Sequence, residues 1–321
     1  MKEIGGYIEL DIYRGEMIHS NGLKLNCAKN CFAFLMKIRD IKKIYIPYFL
    51  CDSIFETCGE MGVEIRYYHI NEKFMPCENE LGNKEDWVYI VNYYGLLPNS
   101  SIVKFKEKYN HIIVDNVQDY YRDPINGVDT FYSCRKFFGV PDGAILYTNA
   151  ENAKNLLEVY PRDESYLRMK YLLGRFERSA SEFYGEYVNN NKEIRKTTIL
   201  QMSRLTQNLL HGLDYNYIKK SRTRNYSYLN TRLNTINKIK SNDIIAAFAY
   251  PLMVEDGKNL REFLIKNKIF VPQLWPNVLS LPEDTLEYQL SMNIIPIPCD
   301  QRYSCEEMEY ICLLIERFYK K

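Results

Sequence analysis

The chain has 321 residues, 42 basic and 41 acidic side chains and 46% hydrophobic residues. A formal net charge of +1 offers no broad cationic field for nucleic acid. No run of about 18 uninterrupted apolar residues is available to span a bilayer, and Met1-Lys-Glu-Ile-Gly-Gly6 lacks the apolar core of a secretory leader. A cytoplasmic protein with one large and one smaller domain is expected. The nine cysteines are scattered, and no second pair or histidine cluster accompanies Cys27 and Cys31 at zinc-like spacing. Free thiols and no metal are expected.

Residues 1 to 24, with turns at Gly5-Gly6 and Asn21-Gly22, read as an N-terminal arm. Asn26 to Arg39 reads as a helix, with Asn26 as N-cap and Cys31, Phe32, Leu35 and Ile38 on one face. Ile44 to Ile46 is a short strand stopped by Pro47. Ser53 to Met61 is a helix ending at Gly62, and Val63 to His69 is the next strand. Trp87 to Val91 is a strand that runs into Asn92-Tyr-Tyr-Gly95. Ile102 to Tyr109 is a helix feeding the apolar run Ile112 to Val114. That run stops at Asp115, with Gln118 three residues on. Turns at Asp123-Pro124 and Asn126-Gly127 lead to a second run, Thr130 to Tyr132. Ser133, Arg135 and Lys136 follow, and Pro141-Asp142-Gly143 opens a third run, Ala144 to Tyr147. Short strands alternating with helices predict an α/β fold whose mostly parallel sheet is covered on both faces.

Asn152 to Tyr160 reads as a helix, and residues 163 to 240 are charged and helical in pattern, suited to linking domains and meeting a partner subunit. Ala247 to Val254 is a strand, Asn259 to Asn267 a helix, and Ile269 to Leu274 and Ile294 to Pro298 are strands. Ser304-Cys-Glu-Glu307 reads as a capping box for a last helix that buries Met308, Ile311, Cys312, Ile315 and Phe318. The expected division is residues 1–205 as a large domain and 206–321 as connecting helices with a small C-terminal α/β domain.

Polar groups just past strand ends are where open α/β sheets bind ligands. A carboxylate there can pair with a protonated ring nitrogen, and a lysine at a neighbouring strand end can form an imine with an aldehyde. These are the needs of a pyridoxal phosphate enzyme. Taken singly, Asp115 reads more readily as a turn residue and Lys136 as a solvated charge. Their order and spacing give them weight.

Val114-Asp-Asn-Val-Gln118, Ser133-Cys-Arg-Lys136 and Pro141-Asp-Gly143 resemble the DegT/DnrJ/StrS sugar aminotransferases. The resemblance runs from about residue 20 to the end and includes Pro298-Cys-Asp-Gln-Arg-Tyr303. It implies a pyridoxal 5'-phosphate-dependent transferase of fold type I, with Lys136 carrying the cofactor from a buried position and Asp115 on its ring nitrogen. Gln118 would lie near the ring hydroxyl, and Phe49 or Tyr48 would stack on the ring. Ser133, Ala28 and Lys29 would hold the phosphate at a helix start, where free N–H groups favour an anion. Cys27 and Lys29 depart from the Ser and the Arg or Thr that are commoner there. Arg135, turned away by strand alternation, reads as a structural or interface arginine.

The implied activity is transfer of an amino group from an amino acid, glutamate above all, to a keto sugar, free or nucleotide-linked. It would serve surface polysaccharide or secondary-metabolite biosynthesis in a homodimer. The alternatives are a non-catalytic, regulatory cofactor binder and a sugar dehydratase; in dehydratase relatives a histidine replaces the lysine, and here Lys136 is present. A dinucleotide-binding Rossmann protein is disfavoured because no G-x-G-x-x-G follows an early strand. The four histidines sit in no nucleophile-elbow context, which disfavours a hydrolase.

Overall fold

The computed structural model describes residues 4–241 and 244–320, so the first three residues of the predicted arm lie outside it. The first unit comprises β1 (Leu23–Leu25), α1 (Ala28–Ile38), β2 (Lys43–Pro47), α2 (Asp52–Glu60), β3 (Glu64–Tyr68), β4 (Trp87–Val91) and α3 (Asn99–Lys108). It continues with β5 (His111–Asp115), β6 (Asp129–Ser133), β7 (Ala144–Tyr147) and α4 (Ala153–Glu158). The strands form one seven-stranded sheet in the order β1-β7-β6-β5-β4-β2-β3. Neighbours from β3 to β6 are parallel, whereas β7 is antiparallel to both β6 and β1.

The central strands are nearly continuous apolar runs because helices cover both of their faces. All five residues of β6 and all but the first of β4 and β5 are buried. Phe32 and Leu35 of α1 pack with Ile44, Val88, Ile90 and Ile113 of the sheet in the largest apolar cluster. The carboxyl ends of β4, β5 and β6 therefore emerge side by side, carrying Asn92, Asp115 and Ser133.

α5 (Lys170–Glu177), α6 (Tyr184–Lys196), α7 (Arg204–His211) and the long α8 (Tyr215–Leu233) follow. The C-terminal part then holds β8 (Tyr250–Met253), α9 (Gly257–Lys266), α10 (Leu286–Asn293), β9 (Ile294–Ile297) and α11 (Cys305–Tyr319). β8 and β9 pair antiparallel as a separate sheet. A second apolar cluster, including Leu229, Leu252, Leu260, Ile295 and Ile311, ties α8, α9 and α11 to it. The Ser304–Glu307 capping box starts α11 as expected. Among the described residues no helix is long and apolar enough to cross a membrane.

Three local expectations are corrected. Cys27, not Asn26, is the N-cap of α1 and makes no side-chain cap; the Asn26 amide is drawn away to Thr197 at 3.0 Å and Asp163 at 3.4 Å. Ile269 to Leu274 is not a strand. Ile269 and Val271 bury in the second cluster, and Pro272 removes a donor that a ladder would need. β1 and α10 were not foreseen: the first is only three residues long, and the second shows little beyond Leu286 and Leu290 at helical spacing.

Candidate active site

The site is built around the end of β5. Asp115 is buried there, and its two carboxylate oxygens accept from the Tyr89 hydroxyl of β4 at 2.6 Å and from the Val117 N–H at 2.9 Å. Burial pushes its carboxyl up to about 6, against those two hydrogen bonds and the charge of Lys136. No ion pair reaches Asp115 among the described residues. A buried acid in this condition has the electrostatic need that a protonated ring nitrogen would fill.

One strand over, β6 ends at Ser133 and the chain makes a single 3-10 turn, Cys134–Lys136. The turn is fastened by the Cys134 N–H donating to the Gly143 carbonyl at 3.1 Å and by the Phe138 N–H donating to the Cys134 carbonyl at 2.9 Å. Gly143 has φ +115°, and a Cβ there would stand 3.0 Å from Thr206 Cγ2 and 3.2 Å from Cys134 Cβ. The fully buried Asp142 beside it accepts from the Ser203 N–H at 2.8 Å, the Ser203 hydroxyl at 2.7 Å and the Thr206 hydroxyl, which fixes the start of α7.

Lys136 itself is exposed, not buried as expected, because the 3-10 turn lifts it off the strand end. Its Nζ lies 5.6 Å from the centre of the Phe248 ring, and its charge acts on Asp115. Arg135 belongs to the same turn, not to the strand, and donates to Asn191 Oδ1 on α6.

The helix start comes to the same place through the sheet register. Ser133 pairs with Ala144, and Ala144 pairs with Leu25. The Gly143 N–H then donates to the Asn26 carbonyl at 2.5 Å. Cys27 caps α1 with extended backbone and no side-chain bond, so the Ala28 and Lys29 N–H groups have no partner inside the helix. The Lys29 side chain goes elsewhere, its Nζ donating to the Arg195 carbonyl at 2.5 Å.

Gln118 is buried, and its Oε1 accepts the Tyr94 N–H at 2.7 Å, which holds Tyr94 at a φ of 55°. Phe49 is fully buried, with ring centres 4.4 Å from Trp275 and 5.2 Å from Tyr93. Tyr48 stacks instead on Tyr67 and His69. The structure thus gathers Asp115, Ser133, Lys136 and the Ala28–Lys29 amides, and it places Phe49 in an aromatic cluster with a residue of the C-terminal part.

Sequence reasoning missed Tyr89 as the donor to Asp115, although it sits within a run read as a strand. Asn92, in the Asn92-Tyr-Tyr-Gly95 turn that resembles the family's loop near the cofactor, donates to Asn116 Oδ1 at 3.0 Å and Asp119 Oδ2 at 3.1 Å and so binds the β4 and β5 loops together. A cavity of about 1140 Å³ lies farther along the same edge, between Phe74, Arg122, Lys219 and Leu290; neither Asp115 nor Lys136 lines it. Among the described residues no group of three or more His, Cys, Asp or Glu is arranged to hold a metal ion.

This architecture is the fold of the pyridoxal phosphate-dependent sugar aminotransferases, reached here at low sequence identity. The chain superposes on DesV from S. venezuelae with a TM-score of 0.69 at 12% identity, over 94% of this chain and 85% of that one. A DegT DnrJ EryC1 StrS aminotransferase from Brucella abortus gives 0.63 at 14% identity, over 93% and 86%. The E. coli GDP-4-keto-6-deoxy-D-mannose-3-dehydratase, with bound hydrated pyridoxal phosphate, gives 0.65 at 12% identity, over 92% and 88%. No protein-family model and no curated protein matches the sequence.

Proposed function

We propose that the chain is a pyridoxal 5'-phosphate-dependent aminotransferase that moves an amino group from an amino acid, glutamate first, to a keto sugar, free or nucleotide-linked. The observation that carries this reading is the uncompensated carboxylate of Asp115 with the amine of Lys136 at the adjacent strand end. When bound, the cofactor would supply an aldehyde for bonding to amines and an electron-withdrawing ring.

The chain's own groups divide the work. Asp115, steadied by Tyr89 and the Val117 N–H, would keep a proton on the ring nitrogen. The Ala28 and Lys29 N–H groups and the Ser133 hydroxyl would hold the phosphate at the positive end of α1. Gln118 would stand by the ring hydroxyl, whereas Phe49, fully buried against Trp275 and Tyr93, has no open face on which the ring could stack as expected. Lys136, on an exposed turn, would bond the aldehyde and, once displaced by the amino donor, move a proton as a free base. The presence of a lysine there favours amino transfer over the dehydration named for the E. coli neighbour.

We place the enzyme in the cytoplasm as a homodimer serving surface polysaccharide or secondary-metabolite biosynthesis, with residues 1–205 as the cofactor domain and 206–321 as the linking helices and small domain. The test is direct. Protein purified with cofactor should absorb in the visible, and borohydride should bleach the band and fix the cofactor to Lys136. Glutamate should convert it to the pyridoxamine form. An adduct that persists on another residue in Lys136→Ala, or a cofactor that glutamate leaves unchanged, would overturn the reading.

A further inference from the structure

Arg222 sits on α8 with only 2% of its surface exposed. Its guanidinium donates in three directions, to three separate parts of the chain. Nη2 reaches the carbonyl of Phe137, the residue after Lys136, at 3.1 Å. Nη1 reaches the carbonyl of Ala247, the residue before Phe248, at 2.9 Å, and Nε reaches Gln301 Oε1 at 2.7 Å. Gln301 Nε2 donates in turn to the same Phe137 carbonyl at 2.9 Å. The guanidinium carbon lies 4.6 Å from the centre of the Phe137 ring.

All three acceptors are uncharged. Asp300, the carboxylate whose charge acts on Arg222, is engaged in a two-pronged pair with Arg302 at 2.7 Å. A buried cation without its own carboxylate is costly, so packing alone does not account for arginine at this position. What a guanidinium supplies is a rigid planar fork that can hold several carbonyls at set angles. Two of those carbonyls flank the pair that meets at the site, Lys136 and the Phe248 ring beneath its ammonium.

We propose that Arg222 is a positioning residue that locks the Lys136 turn to the Phe248 segment, so that the amine is presented in one orientation set by the C-terminal part of the chain. The chemistry assigned to that amine rests on the aminotransferase reading above. Arg222 touches neither Lys136 nor any reacting atom and acts through the Phe137 and Ala247 backbone.

The experiment measures the rate at which cofactor-free protein forms a borohydride-trappable adduct with pyridoxal phosphate at Lys136, by peptide mass spectrometry, with adducts on surface lysines as internal reference. Arg222→Ala, checked for folding by circular dichroism, should slow the Lys136 adduct at least tenfold and leave the reference lysines unchanged. Guanidinium ion at non-denaturing concentration should restore the rate, and urea at equal concentration should not. An unchanged rate in folded Arg222→Ala, or a loss that guanidinium fails to restore, overturns the proposal. If Arg222→Ala does not fold, Arg222→Lys keeps the charge and loses the planar fork that reaches both carbonyls at once: slowing of the Lys136 adduct alone supports the lock, and an unchanged rate overturns it. Absence of the adduct in the unsubstituted protein would sink the aminotransferase reading itself. Normal adducts in both proteins would sink only the role of Arg222.

Discussion

The Tyr89 hydroxyl and the Asp115 carboxylate meet across β4 and β5 at 2.6 Å, both buried at the carboxyl end of the sheet. The phenol is a donor that cannot neutralise the acid, so the carboxylate remains a charge in need of a cation.

The pH dependence of stability follows from this. Burial raises the Asp115 carboxyl from 3.8 to about 6, so the folded chain binds this proton more tightly than the unfolded one. The stabilisation is complete below about pH 4 and is lost as the pH rises through 6, a difference of about 3 kcal/mol at most. Cofactor-free Asp115→Asn should therefore be more stable than the unsubstituted protein at pH 7.5, with the gap closing at pH 4. Urea unfolding at the two pH values measures this; a variant less stable at both would refute it.

Tyr89→Phe removes one of the two donors to Asp115 and leaves that acid less well satisfied. Its carboxyl should titrate higher still, so the pH below which cofactor binding weakens should move upward from about 6. Stability should fall by roughly 1–2 kcal/mol. Fluorescence titration of cofactor across pH 5 to 8 would follow the midpoint, and a midpoint that stays in place would contradict the coupling.

The phosphate assignment separates Lys29's backbone from its side chain. Because Lys29 Nζ is bound to the Arg195 carbonyl, Lys29→Met should change pyridoxal phosphate affinity by less than roughly threefold. Ser133→Ala should weaken it by roughly fivefold, the loss of about one hydrogen bond. Affinity for pyridoxal, which lacks the phosphate, should be unmoved in both. Equal losses for the two ligands would remove Ser133 from the phosphate site.

Asp142→Ala strips the buried Ser203 N–H and the Ser203 and Thr206 hydroxyls of their shared acceptor. A cost of roughly 2–4 kcal/mol is expected, because unmet buried donors carry their full desolvation penalty and α7 loses its anchor. Thermal unfolding would measure it, and a loss under about 1 kcal/mol would show that water takes the place of the carboxylate.

Most strands of the large sheet were legible because their apolar runs are local and are closed by local turn residues, as with Trp87 to Val91 and Ala144 to Tyr147. The strand-end position of Asp115 was readable for the same reason. The exposure of Lys136 was not, since a strand and a 3-10 turn read alike over the three residues Cys134 to Lys136. The side chain of Lys29 read as a charge available to the phosphate, because nothing nearby in sequence names Arg195, 166 residues away, as its partner. Arg222 read only as part of a connecting helix, since its meaning lies in carbonyls 85 and 25 residues distant. Hydrophobic period and chain order by themselves determined most of the strands and helices and put an acid and a lysine just past two consecutive strands. The tertiary structure alone decided which side chains were already spoken for, because hydrogen bonds and burial are set by neighbours in space and leave no period in the chain.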